Sequence, residues 1–217
     1  MPPKGKKKCS PRDVLSSLPE NVIDDILICL PLQDAARTSI LSTKWRYKWC
    51  RIPQLKLDKR VWGPIINKKS LTIKLTDIIY HLLAYRVGPI SKFVLAIDVG
   101  ACPEIDKLIY FLSRNGIQHL DLTFPLFNRS KMPSSFFTCL QLRHLSLTNC
   151  SILLAPLAFK GFGSLNSLEL RNIFTSPKIL ESLISKCPLL QHLVLYQNWY
   201  TDAIEINAPM LRTFNFV

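Results

Sequence analysis

Glycine is scarce, with seven in 217 residues, and that scarcity removes one class of chemistry at once. A phosphate cradle needs several closely spaced glycines whose amides can turn toward the ligand. Gly161 and Gly163 are a lone pair without the rest of such a fingerprint. No run of eighteen or more apolar residues occurs, so no membrane-spanning helix is predicted. The N-terminus, MPPKGKKKCSPRD, has no apolar segment behind its charges and does not read as a secretory signal. Seven cysteines stand at 9, 29, 50, 102, 139, 150 and 187; the number is odd and no two form C-x-x-C. That usage argues against zinc and against a disulfide framework. It predicts reduced thiols in an intracellular protein of the nucleus or cytoplasm. No Ser, Cys or Asp lies in a nucleophile motif, so the chain does not read as an enzyme and no cofactor is expected.

Acidic residues are also few, 15 against 28 Lys and Arg, and the net charge of +13 at first suggests nucleic acid. Its distribution argues otherwise. Residues 1–12 carry five basic residues and no acid, and residues 44–69 carry nine against the single Asp58. Together they account for the whole excess, so the charge is local. Residues 1–12 are predicted to be a disordered basic tail, in which KGKKK suits a nuclear-import signal and a solvating tail equally. Trp45, Tyr47, Trp49 and Trp62 interleave the second basic stretch. A pair of Trp residues one helical turn apart is more often core than a nucleic-acid platform.

What is present begins at residue 13. Ser17-Leu18-Pro19-Glu20 fits a capping box for a following helix. At 100° per residue Cys29, Val22, Ile26, Leu30, Ile23 and Leu27 fall in one arc roughly 160° wide, too wide for a small module's interior alone. Pro31 should stop that helix, Asp34 should cap a second through Leu41, and a third should carry Trp45 and Trp49.

LPENVIDDIL, LPLQDAARTSILS and KWRYKW resemble the F-box, the three-helix module that docks on the Skp adaptor of Skp–cullin–F-box ubiquitin ligases. The resemblance covers residues 13–50. It implies adaptor contacts at Leu18, Pro19, Ile26, Leu30, Pro31, Ile40, Leu41 and Trp45, some of which must build the module's own core instead. One position departs: Lys48 stands where the family commonly has Leu, and its substitution by Leu is expected to raise the thermal midpoint of the adaptor complex, or to leave it unchanged if the site is wet.

From residue 52 the template L-x-x-L-x-L recurs seven times, beginning at Ile52, Ile90, Ile117, Leu142, Leu165, Leu190 and Leu211. The intervals are 38, 27, 25, 23, 25 and 21 residues, and all but the first suit leucine-rich repeats. Period two points the fourth and sixth places inward from a short parallel strand and the third, fifth and seventh outward. Residues 75–85, 105–113 and 178–186 have helical periodicity for the return, whereas 156–163 does not. The ninth place, often Asn or Cys, matches at Cys150 and Asn198 but not at Pro125 or Ile173. The expected fold is therefore an α/β solenoid: residues 13–50 as F-box, then 51–217 as irregular leucine-rich repeats with about seven short parallel strands.

The combination resembles the plant F-box/leucine-rich-repeat proteins, which implies a substrate-receptor subunit that holds an adaptor, and through it a cullin, while the repeats hold an unknown target protein. Members often carry a further C-terminal domain; none is expected here after Val217, which leaves Leu211, Phe214 and Phe216 covered on one side only. Target contacts are expected on the outward rows: Lys92, His119, His144 and His192 at the third place, Asp121, Ser146 and Glu169 at the fifth, Arg171 and Tyr196 at the seventh. No carboxylate or Cys shares the histidine row, so no metal is expected there. Two rivals remain at this point: a basic nucleic-acid-associated repeat protein, and a truncated scaffold that binds the adaptor and no target.

Overall fold

The structure is a computed structural model and describes residues 14–62, 71–97, 104–126, 130–196 and 203–216. The expected basic tail at 1–12 lies outside these residues, as does Asn198. The chain divides into two compact units, Met1–Trp49 and Cys50–Val217.

The first unit contains helices α1 (Val14–Ser17), α2 (Glu20–Cys29) and α3 (Leu32–Arg37), followed by a 3-10 turn over Thr38–Ile40. A Leu-Pro pair precedes both α2 and α3. Pro19 and Pro31 sit at the N-caps with extended ψ of 152° and 145°, and their carbonyls accept from Ile23 N (3.1 Å) and Ala35 N (2.9 Å). Proline's fixed φ is pre-set for a helix start, and it forces the preceding residue out of the helical region. Leu30, at φ −86° and ψ 148°, ends α2 for that reason.

Three sequence expectations fail in this unit. The capping box does not form, because Ser17 ends α1 and its hydroxyl donates to the Val14 carbonyl at 2.7 Å. Asp34 does not cap α3; it lies inside the first turn and pairs with Arg37 at 3.0 Å. The third helix is replaced by turns through residues 41–47 and a 3-10 segment, Lys48–Arg51. Tyr47 is left-handed, at φ 63°, which an α-helix cannot accommodate. Trp45 is held by tertiary structure instead: 2% exposed, with its indole N–H donating to the Leu15 carbonyl at 3.2 Å.

The second unit is built on one seven-stranded parallel sheet: β1 (Gln54–Leu57), β2 (Lys92–Ala96), β3 (His119–Thr123), β5 (His144–Thr148), β7 (Ser167–Arg171), β8 (His192–Tyr196) and β9 (Thr213–Phe216), paired in that order. Between them lie the two-residue strands β4 (Ser130–Lys131) and β6 (Cys150–Ser151), which pair with each other. Each hexad supplies one strand of the main sheet. Equal places face each other in every pair, as in Leu120↔Leu145↔Leu168↔Leu193. A second device fixes the register. Each second-place carbonyl, from Pro53 to Gln191, accepts from two successive amides of the next repeat at 2.8–3.1 Å. A one-residue slip would break that fork and turn every leucine outward.

The fourth- and sixth-place residues of the first six strands are all at most 2% exposed, whereas Phe214 and Phe216 of β9 are 45% and 63% exposed. Burying each such leucine contributes roughly 1.5–3 kcal/mol. The remaining helices are α4 (Lys59–Trp62), α5 (Leu71–Ala84), α6 (Ile105–Arg114) and α7 (Pro177–Ser185). The last three coincide with the segments of helical periodicity at 75–85, 105–113 and 178–186. In α6 Ile105, Leu108, Ile109 and Leu112 are buried, and in α7 Leu180, Leu183 and Ile184. Residues 156–163 form no helix. Phe136, Phe137, Phe159 and Phe162 are buried together edge to face, with centroids 4.8–5.3 Å apart, so aromatic volume replaces a helical face there. Among the described residues no helix is long and apolar enough to cross a membrane.

The turns after the strands use the eighth place of the repeat rather than the ninth. Cys150, at the ninth place, is simply buried. The eighth-place asparagines do the bonding. Asn149 and Asn172 are left-handed (φ 59° and 50°), Asn149 Nδ2 donates to the Phe124 carbonyl at 2.8 Å, and Asn172 Nδ2 donates to Asn149 Oδ1 at 2.8 Å. Asparagine tolerates that conformation and satisfies backbone groups with its amide.

Candidate functional site

In the helical unit, burial sorts the eight positions offered by the resemblance. Ile23, Leu27, Ala35 and Trp45 are buried, so Trp45 belongs to the module's own core. Leu18, Leu30 and Pro31 are half-buried and Pro19 is exposed. Ile26 is 37% exposed, Leu41 47% and Ile40 86%, and Ile28, which lies outside the apolar arc, is 36% exposed. These open side chains follow directly on a helix whose core-facing residues are already packed. The wide apolar arc of α2 thus divides into a buried stripe and an open one.

Lys48 is not a wet substitute for leucine. Its ammonium forms an ion pair with the Glu20 carboxylate, and only 14% of its side chain is exposed. The Lys44 ammonium donates to the Leu18 carbonyl, and Lys56 pairs with Asp58 at 3.5 Å. Three cations of the basic stretch are therefore engaged inside their own units.

On the open face of the sheet, the register sets the predicted residues in rows. Lys92, His119, His144, Ser167 and His192 form one row, and Lys56, Val94, Asp121, Ser146, Glu169 and Val194 form the next. Thr123, Thr148, Arg171 and Tyr196 form the third. The His119 and His144 rings stack at 4.4 Å, with 19° between their planes. Burial, His144 and Lys92 push the His119 imidazole down to about 4, and His144 is lowered by burial, His192, Lys92 and Arg143. His192 Nδ1 lies 2.8 Å from Thr213 Oγ1. The Asp121 carboxyl is raised by burial and by Glu169, opposed by its hydrogen bond with Ser146 and by the nearby charges of Lys92 and Lys56. Glu169 pairs with Arg171, whose guanidinium lies 5.6 Å from the Tyr196 ring centroid.

A cleft of about 320 Å³ opens at the starts of β1, β2, β3 and β5, lined by Pro53, Gln54, Ser91, Lys92, Gln118, His119, Arg143 and His144. Gln118 and Arg143 stand at the second place, which sequence reasoning ignored; the signal available was that polar residues recur there. Among the described residues no group of three or more His, Cys, Asp or Glu could hold a metal ion.

Comparison with known proteins gives two matches along the chain. The F-box domain matches residues 15–56, and the leucine-rich repeats described for the FBD-associated F-box protein At5g56370 match residues 105–217. Among curated proteins of Arabidopsis thaliana, the F-box/FBD/LRR-repeat protein At1g13570 is 41% identical over 92% of this chain and 47% of its own length. The F-box/LRR-repeat protein At4g14103 is 30% identical over 94% of this chain and 55% of its own. The F-box/FBD/LRR-repeat protein At1g51370 is 33% identical over 92% and 45%. The chain spans about half the length of the curated relatives it matches.

Proposed function

Since the chain belongs to the plant-type F-box/LRR-repeat family, we propose that it is a substrate-receptor subunit of a Skp–cullin–F-box ubiquitin ligase. The helical unit docks a Skp-type adaptor, and through it a cullin. The open strand face recruits a target protein. The chain performs no bond chemistry; it raises the effective concentration of the target near a charged ubiquitin carrier. Its place is the nucleus or the cytoplasm, a reading supported by free Cys50, Cys139, Cys150 and Cys187, all buried.

One observation carries the adaptor assignment. The F-box-matched unit packs its own core with Ile23, Leu27, Ala35 and Trp45 and still presents Ile26, Ile28, Ile40 and Leu41 to solvent. Apolar side chains left open beside a complete core are what a docking surface requires. Capture of the full chain by a recombinant Skp-type adaptor tests this. Replacing Leu18 and Pro19 together by Ala should weaken capture at least about tenfold, the cost of truncating an interface anchor, while leaving the far-UV circular dichroism unchanged. Undiminished capture would remove the assignment.

A further inference from the structure

The strand face is polarised in a way that specifies what it would hold. At the third-place row, Lys92 approaches the stacked His119 and His144 from β2, and Arg143 from the start of β5, around the 320 Å³ cleft. Neither Lys92 nor Arg143 forms an ion pair with a described residue. One row further along the strands Lys56, paired with Asp58, stands at the β1 end, and two carboxylates follow on β3 and β7. Asp121 is half-buried, hydrogen-bonds Ser146 and has no ion pair among the described residues, while Glu169 is taken by Arg171. A cleft rimmed by two unpaired cations thus lies beside an unpaired carboxylate.

The spacing of the two rows matters. Third and fifth places of one strand are two residues apart, about 6.6 Å. Side chains on one face of an extended peptide have the same separation, because alternate residues share a face. A peptide laid along the strands can therefore set neighbouring same-side residues on both rows at once. An imidazole that stays neutral still offers one N–H donor to an anion in the cleft, so the stacked pair adds hydrogen bonding to the charge of Lys92 and Arg143.

We infer that the strand face binds an extended segment of the target protein in which an Asp or Glu enters the cleft between Lys92 and Arg143 while a Lys or Arg two residues away meets Asp121. This rests on the strand face being the recruiting surface. The occupant is dipolar, which separates it from nucleic acid: a phosphate backbone would satisfy the cleft and be repelled at Asp121. Complementary charges of this kind fix register and partner choice more than they add affinity.

Selection of randomised peptides displayed against the immobilised full chain tests the inference. The wild-type chain should enrich sequences with an acidic residue two positions from a basic one. Lys92→Glu with Arg143→Glu should reverse the preferred charge at the first of these positions, and Asp121→Lys at the second, with circular dichroism unchanged. The neutral pair Lys92→Gln and Arg143→Gln should lose the acidic preference without acquiring the opposite one. Enrichment of some other composition that still disappears in these variants would overturn the pairing rule while keeping the strand face as the recruiting surface. Enrichment indifferent to all of them would overturn both. Adaptor capture, measured on the same preparations, reports separately on the helical unit.

Discussion

The Lys48 ammonium and the Glu20 carboxylate form an ion pair that ties the start of α2 to the segment after the last turn of the helical unit. The partners are 28 residues apart in sequence, and the Lys side chain is 14% exposed while Glu20 is 58% exposed. A leucine at 48 would leave Glu20 without that partner. For the helical unit by itself, the ion pair therefore favours Lys48 over the leucine of the family pattern.

Lys48→Leu should lower the thermal midpoint of the helical unit, by an amount equivalent to about 1 kcal/mol, the upper range for a partly exposed pair. A double-mutant cycle with Glu20→Gln isolates the coupling. An unchanged or higher midpoint would show that the leucine's packing outweighs the lost pair.

The asparagine pair after β5 and β7 makes a sharper demand. Asn149→Ala removes the bond to the Phe124 carbonyl, takes away the Oδ1 that accepts from Asn172 Nδ2 and leaves an alanine at positive φ. The cost should be about 2 kcal/mol, from roughly one hydrogen bond and the left-handed strain of a residue with a Cβ. Asn149→Gly keeps the backbone freedom and should cost less. Urea denaturation of the two variants measures the difference, and equal losses would show that the backbone conformation contributes nothing.

Stability should also fall in mild acid. His119 is held near 4, against 6.5 ordinarily, by burial first and then by His144 and Lys92. Between those values the unfolded chain binds more protons than the folded one, so the contribution is whole above 6.5 and is lost as pH falls toward 4. Asp121, shifted upward, acts in the opposite sense and blunts the lower end. Thermal midpoints from pH 7 to 4.5 should decline for the wild type and decline less for His119→Gln. Identical slopes would mean that the pH dependence originates elsewhere.

Much of the fold was legible because its signals are periodic. All seven hexads became strands, and Lys92, His119, His144 and His192 fell into one row, because a parallel sheet in constant register converts sequence place directly into spatial row. What was hidden depends on single residues whose tertiary partners override local preference. Ser17 and Asp34 have the chemistry of caps, but Pro19 and Pro31 hold the helix starts. Trp45 and Trp49 have helical spacing, but Tyr47 turns left-handed between them. Among the adaptor positions, exposure divides Ile40 from Trp45, and no periodicity could have done so. The cleft was missed because Gln118 and Arg143 lie just ahead of their strands, where the inward–outward alternation does not yet apply.

Adaptor docking through the open residues of the helical unit is tested most directly by the dissociation constant of the binary complex between this chain and a Skp-type adaptor. Ile40, 86% exposed, can be replaced by Asp without disturbing the core around Ile23, Leu27 and Trp45. Placing an unpaired charge in a desolvated interface should weaken the complex by about a hundredfold or more, with the far-UV circular dichroism unaltered. A wild-type chain that binds no adaptor, or an Ile40→Asp chain that binds with undiminished affinity, would contradict docking through this surface.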